Sequence, residues 1–402
     1  MRRPPIARRL LAVTALAGLL AGCTAGGGPI LANAPAARPS PPPTPSPSPA
    51  APDPQPLVFP RDDGPHDRLT EWWYYTGHLV DAAGHHYGFE FVIFRAERGP
   101  LPVTWASHFA ITDESGDRFL HAQRSEVGPQ VDHSPRDAAG APTGFALALT
   151  GGNAAQPAAL GEPPWAMAGA GGADRLSVAL GPAEAKAAGS NGGLGLQLGL
   201  QTAEPPVLHD GIGWIDFGAA GSSYYYSRPR LAASGQLTLD GRTLTVTGEA
   251  WFDHQWGDFI AVGGGGWDWF AVELGDGTDL TLSLIRDLSG SDALAYGTLV
   301  RPEGTTVHLD PSAFSVAVTS HWTSPASGAT YPAGWRIRLP SEGLVIDLRP
   351  TVADQELDTR ATTGVVYWEG SQIVTATRDG RPVPGQAYVE LTGYAPPVPT
   401  KR

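Results

Sequence analysis

Tyr87-Gly88-Phe89-Glu90-Phe91-Val92-Ile93-Phe94-Arg95 alternates with a period of two. Extended backbone sends successive side chains to opposite sides, so Tyr87, Phe89, Phe91 and Ile93 share one face. The same alternation returns in 144–149, 175–180, 194–200, 235–239, 244–247, 280–284, 314–318, 335–339, 344–348 and 388–391. Asp240-Gly241, Asp276-Gly277 and Asp379-Gly380 sit between such runs, where hairpins favour these pairs. No amphipathic pattern of four helical turns occurs. The spacing therefore predicts an all-β chain folded as barrel or sandwich.

Composition agrees. With 51 Gly, 39 Pro and only 17% charged residues, the chain suits many turns between short strands. The N-terminus reads as an address: Arg2, Arg3, Arg8 and Arg9 precede an apolar stretch, Leu10–Leu20, too short to span a bilayer comfortably. Leu20-Ala21-Gly22-Cys23 resembles the lipobox of bacterial lipoproteins, which implies cleavage of residues 1–22 and lipidation of Cys23. The expected location is the cell envelope, anchored to a membrane surface without spanning it. Cys23 is the single cysteine, so burial alone must hold the exported fold. Residues 23–56, rich in Pro, Ala and Ser, predict an extended tether. Without residues 1–22 the chain has 23 basic against 40 acidic residues, a net charge of −17, which argues against nucleic acid as a partner.

A second stretch points to a site. Trp251-Phe252-Asp253-His254-Gln255-Trp256-Gly257-Asp258 is followed by Gly266-Trp267-Asp268-Trp269-Phe270. Indoles avoid water, and a carboxyl buried beside them keeps its proton, as an acid catalyst or a polar anchor requires. Alternation puts Phe252, His254 and Trp256 on one face of a strand and Trp251, Asp253 and Gln255 on the other. Asp268 shares its face with Phe270, Val272 and Leu274, and Glu71 shares its face with Trp73 and Tyr75. A faint repeat lays Trp72–Leu79 over Trp267–Leu274, each followed by a turn, a strand and an arginine, Arg95 or Arg286. It suggests two related barrels with a boundary near Tyr224–Pro229, giving domains 57–228 and 229–398.

Glu71-Trp72-Trp73-Tyr74-Tyr75-Thr76-Gly77, Trp105-Ala106-Ser107-His108-Phe109, Trp251–Gly257, Gly266–Phe270 and Asp354-Gln355-Glu356-Leu357-Asp358 resemble the AttH / carotenoid 1,2-hydratase family. The likeness implies two tandem lipocalin-like β-barrel domains. The best-understood branch of that family hydrates acyclic carotenoids without a metal or organic cofactor, and some fungal relatives guide pericyclic cyclisation; fold is thus fixed better than reaction. The branch's His-x-Trp pair matches His254 and Trp256. Its following strand carries an aromatic and an acidic donor, whereas 280–287 here has no inward Tyr-x-Asp, leaving the proton donor open between Asp268 and Asp253.

The expectation is a hydrophobic, isoprenoid- or lipid-like ligand, bound without cofactor and converted by acid-catalysed hydration or isomerisation. Asp268 or Asp253 would be the acid and His254 would place water, while Trp256, Trp267, Trp269, Glu71, Trp73, Tyr75 and His108 line the site, with His108 reaching towards Glu71. A non-catalytic lipid carrier explains the tether and the tryptophans equally well. A glycan-directed β protein is the third alternative, because Trp stacks on sugars and paired carboxylates cleave them. The sequence shows no His-x-His or His-Glu-x-x-His spacing, so no metal is expected. No Gly-x-Ser-x-Gly elbow is present. Gly263–Gly266 reads as a rim loop and Asp354–Asp358 as a solvated turn.

Overall fold

A computed structural model describes residues 52–151, 162–259, 264–287 and 289–395. The expected signal, Cys23 and nearly all of the tether lie outside these residues.

The regular structure of the described chain is nearly all β, arranged as two antiparallel sheets. The first contains β1 (Thr70–Asp81), β2 (His86–Ala96), β3 (Thr104–Asp113), β4 (Arg118–Val127), β5 (Phe145–Leu149), β6 (Trp165–Ala170), β7 (Ala173–Ala179), β8 (Gly195–Gln201), β9 (Val207–Leu208), β10 (Trp214–Asp216), β11 (Ser222–Leu239) and β12 (Arg242–Gly257). Its order is β4-β3-β2-β1-β12-β11-β8-β7-β6-β5, with β9 and β10 paired to β11. The second contains β13 (Gly264–Leu274), β14 (Asp279–Asp287), β15 (Asp292–Val300), β16 (Thr306–Leu309), β17 (Ser315–Thr323), β18 (Thr330–Leu339), β19 (Leu344–Pro350), β20 (Glu356–Asp358), β21 (Val366–Arg378), β22 (Arg381–Val383) and β23 (Gly385–Leu391). Here the order is β16-β15-β14-β13-β23-β21-β19-β18-β17.

The first sheet curls until its ends meet. Thr150 and Gly151, just past β5, donate backbone hydrogen bonds of 2.8 and 3.0 Å to the Glu126 carboxylate on β4. The one α-helix among the described residues, Pro182–Ala187, sets Glu184 against the fully buried Arg124 of β4 in a two-point ion pair of 2.9 and 2.7 Å. Alternating residues such as Phe89, Phe91, Ile93, Leu147, Leu196 and Leu237 fill the interior. The second sheet forms a more open half-barrel around Phe270, Val272, Trp335, Ile337, Ile346 and Val389.

Sheet topology moves the expected division. Residue 228 lies inside β11, which pairs along its length with β12, so the first sheet continues to Gly257 and the second begins at Gly264. The long hairpin turns at Asp240 and Gly241, both with positive φ (51° and 74°), the conformation that makes Asp-Gly a hairpin signal. Gly264–Gly266 opens β13 rather than forming a loop. Gly266 has φ 97°, and a Cβ there would lie 2.3 Å from the Thr392 carbonyl oxygen. Asp354–Asp358 is not a solvated turn either. Glu356–Asp358 pairs with β21, and buried Gln355 accepts hydrogen bonds from Thr112 and from the Ser371 amide.

The two sheets meet through the outer face of each. Trp72 and Tyr74 of β1 and Trp267 and Trp269 of β13, equivalent in the sequence repeat, turn away from their barrel interiors and pack together around Val92, Trp251, Ala271 and Tyr388. The Tyr74 and Trp269 rings meet edge to face at 5.4 Å.

Candidate functional site

Strand alternation splits the aromatic signatures between two chemically distinct clusters. The first lies inside the first barrel. β1 supplies Glu71, Trp73 and Tyr75, while β12, directly hydrogen-bonded to it, supplies Phe252, His254 and Trp256. Glu71 and His254 are wholly buried. Glu71 Oε1 lies 3.0 Å from His254 Nε2 and 2.8 Å from Nδ1 of His66, which the preceding loop contributes. The His66 ring stacks on Trp256 at 3.9 Å, and His254 stacks on Trp73 at 4.7 Å. Burial alone would raise the Glu71 pKa, but His66 and the hydrogen bonds from both imidazoles hold it below the ordinary value. Burial works against charge on His66 too, yet Glu71 and Asp62 outweigh it and raise its pKa. In His254 burial wins and the pKa falls. Charge is thus favoured on Glu71 and His66 and disfavoured on His254.

The second cluster occupies the seam between the sheets. Asp253 of β12 accepts hydrogen bonds from Tyr225 (2.5 Å), Trp251 Nε1 (2.7 Å) and Ser227, and the Trp269 indole donates to Tyr225 at 3.1 Å. The Tyr74 hydroxyl donates to Glu369 of β21. Tyr367, also on β21, donates to Glu90 of β2 at 3.0 Å and touches His108 Nδ1 at 2.8 Å. The Trp267 indole donates to Glu390 of β23 at 3.1 Å. Glu369 and Glu390 are direct cross-strand partners, a placement in which two ionised carboxylates repel.

These carboxyls resist ionisation. Burial, then the nearby Glu390, pushes Glu90 up to about 8, against the Tyr367 hydrogen bond. Burial pushes Glu390 up to about 7, and burial with both neighbouring glutamates raises Glu369 well above the carboxylate range. Asp253 is pushed up to about 6 by burial, despite its three donors. Among the described residues no arginine or lysine pairs with any of the four. Glu90 Oε2 has no hydrogen-bond partner among the described residues. Such a group of carboxyls titrates as a unit, in which Glu90 and Glu369 hold their protons most tightly and Asp253 is the readiest to ionise.

The residues singled out from sequence are thus distributed. His254, Trp256, Glu71, Trp73 and Tyr75 converge inside the first barrel; Asp253, His108, Trp267 and Trp269 lie in the seam. His108 does not reach Glu71, because it lies on the outer face of its sheet and bonds to Tyr367 and Thr362. Asp268 stands apart inside the second half-barrel, ion-paired with Arg286 and accepting from Tyr394 at 3.0 and 3.1 Å. Its two polar partners, a guanidinium and a phenol, are those a structural anchor has. Sequence reasoning missed Glu90, Glu369, Glu390 and His66.

The profile of the AttH-like family matches residues 50–394, spanning both sheets and both clusters. The chain belongs to the AttH-like family. A crystal structure of a Nitrosomonas europaea protein assigned to AttH is 31% identical, covers 85% of this chain and 98% of its own, and superposes with a TM-score of 0.68. Kievitone hydratase from Nectria haematococca shares the fold at 15% identity, with 84% and 93% of the two chains covered and a TM-score of 0.60. No curated protein matches the chain. Within the AttH-like family, then, this member carries a carboxyl-rich seam between two lipocalin-type sheets.

Proposed function

We propose that this AttH-like protein is a cofactor-independent hydratase or isomerase acting on a hydrophobic, isoprenoid- or lipid-like alkene, and that the reaction takes place in the seam between the sheets. The observation that carries the reading is the group of carboxyls without a basic partner, buried Glu90, Glu369 and Asp253 with half-buried Glu390, set among indole and phenol rings. Protonating an alkene needs a strong, neutral acid, and a carboxyl kept protonated in an apolar site meets that need. The cation then formed is stabilised by the ring faces of Trp251, Trp269 and Tyr74. A neighbouring carboxyl that has ionised accepts a proton from the attacking water, or from carbon in an isomerisation. The reading gains support from the family assignment and from a fold shared with a protein described as a hydratase.

A cleft lined by Thr76, Gly77, His78, Trp251, Ala271, Glu273, Ala387 and Tyr388 adjoins the cluster. Its empty space, about 200 Å³, is below the range usual for ligand pockets, so a substrate entering there must displace side chains or part the sheets. Cell-envelope location and membrane attachment through Cys23 belong to the same proposal. They rest on the lipobox resemblance, and intact-mass analysis of wild type against Cys23→Ala tests them.

The decisive experiment extracts the ligand retained by the native protein, identifies it by mass spectrometry, and measures its conversion by wild type and Glu390→Gln. Loss of roughly 10²–10⁴-fold in turnover with ligand still bound supports the acid role. Retained ligand that wild type never converts makes the protein a carrier instead.

A further inference from the structure

The first-barrel cluster has the composition of a metal site, and it lies on the faces of β1 and β12 opposite to the seam, so it stands independently of the proposed reaction. We propose that His66 Nδ1, Glu71 Oε1 and His254 Nε2 bind one first-row divalent cation of the zinc type.

Three observations carry this. First, the three ligand atoms converge from a loop and two strands and lie within 4.8 Å of one another. The separations of 2.8 and 3.0 Å from the Glu71 oxygen are hydrogen-bond lengths; widening them to about 3.3 Å gives tetrahedral edges for metal–ligand bonds of about 2.0–2.1 Å. Second, both imidazole planes are fixed before any ion arrives, by Trp256 beneath His66 and Trp73 against His254. Third, the nitrogen of each ring that points away from Glu71 faces an acceptor, as metal-bound histidines usually require. His66 Nε2 is 3.6 Å from Asp62 Oδ1. His254 Nδ1 is 3.4 Å from the Tyr226 oxygen, whose own proton is committed to Asp63 at 2.6 Å.

The nearby guanidinium does not occupy the site. Arg95 Nη1 approaches Glu71 Oε2, not Oε1, and only to 4.0 Å, while its hydrogen bonds go to the His66 carbonyl, Asp67 and Glu97. An incoming ion replaces the protons that now join Oε1 to the two rings. Each displaced proton passes to the other nitrogen of its ring, facing Asp62 or Tyr226, or to solvent. Nitrogen and oxygen donors without sulfur suit zinc, iron(II) or cobalt(II) over copper(I). Three protein ligands leave a coordination position for water. The His66 side chain, 20% exposed, gives the ion a way in from the surface.

The test strips the full-length protein with chelator and titrates it with Zn2+ and with Co2+, reading stoichiometry by calorimetry and elemental analysis. One ion per chain, with the visible bands of four-coordinate Co2+, is the expected result. Tyr226→Phe should weaken binding about tenfold through the outer contact alone. His66→Ala, a change at a partly exposed loop residue whose folding is checked by circular dichroism, should weaken it by more than about 100-fold. Absence of binding at micromolar metal overturns the proposal, and so does a His66→Ala variant that binds like wild type.

Discussion

Glu90→Gln should make the protein more resistant to alkaline unfolding. Glu90 is held up to about 8 in the folded chain, against an ordinary value of 4.5. Between those two pH values the native state keeps a proton that the unfolded chain has released. Folding stability from this group is therefore complete below pH 4.5 and drains away as pH rises, the opposite of a salt-bridged carboxylate. A span of 3.5 units at 1.36 kcal/mol per unit amounts to about 5 kcal/mol by pH 9. Gln keeps the shape and cannot ionise, so it abolishes this dependence. Any packing or hydrogen-bond cost of the amide applies equally at every pH. The quantity to read is thus the change in the difference between variant and wild type from pH 5 to pH 9. At roughly 2 °C per kcal/mol for a large domain, Tm of the variant should gain on the order of 10 °C relative to wild type across that range. Differential scanning calorimetry at intervals of half a pH unit gives the two curves. If they run parallel, Glu90 titrates normally, and the neutral-acid account of the seam fails with it.

Three further outcomes follow from the same geometry. Turnover of the proton-transfer reaction should decline as pH rises through about 7 to 8, where Glu390 and Glu90 lose their protons; a kcat/KM profile that instead climbs through that interval contradicts the assignment. Asp268→Asn breaks the pair with Arg286 and should lower stability by about 3 kcal/mol while leaving turnover per folded molecule close to wild type, so lost activity at unchanged Tm would return Asp268 to the mechanism. Arg124→Ala leaves Glu184 buried without its cation and strips the guanidinium from the Trp165 ring, where it sits at 4.7 Å; chemical denaturation should show a loss of about 3–5 kcal/mol.

The period-two pattern made most strands legible, together with the split between Asp253 and His254. It also sorted Glu71, Trp73 and Tyr75 correctly onto one face. What it could not supply was the meaning of the other face. In Tyr87–Arg95 the residues between the core positions, Glu90 among them, carried no reading, because alternation reports two sides of a strand and says nothing of a second sheet laid over the outer one. A signal was nonetheless present: Trp72, Tyr74, Tyr225 and Trp251 place large rings on that outer side, too many for a wet surface. The neighbours Glu369 and Glu390 lie 279 and 300 residues from Glu90 along the chain, and no local pattern links such distant strands. His66 was unreadable for another reason. It belongs to a loop, and only the close pairing of β1 with β12 brings Glu71 and His254 beneath it.

The seam is formed by side chains that neither barrel needs for its own interior. Conservative changes there, such as an amide for a carboxyl, leave both barrel interiors filled and act on stability through proton binding, which makes their effect depend on pH. Two barrels set back to back thus give the chain a third internal surface, one that can be altered without touching the filling of either barrel.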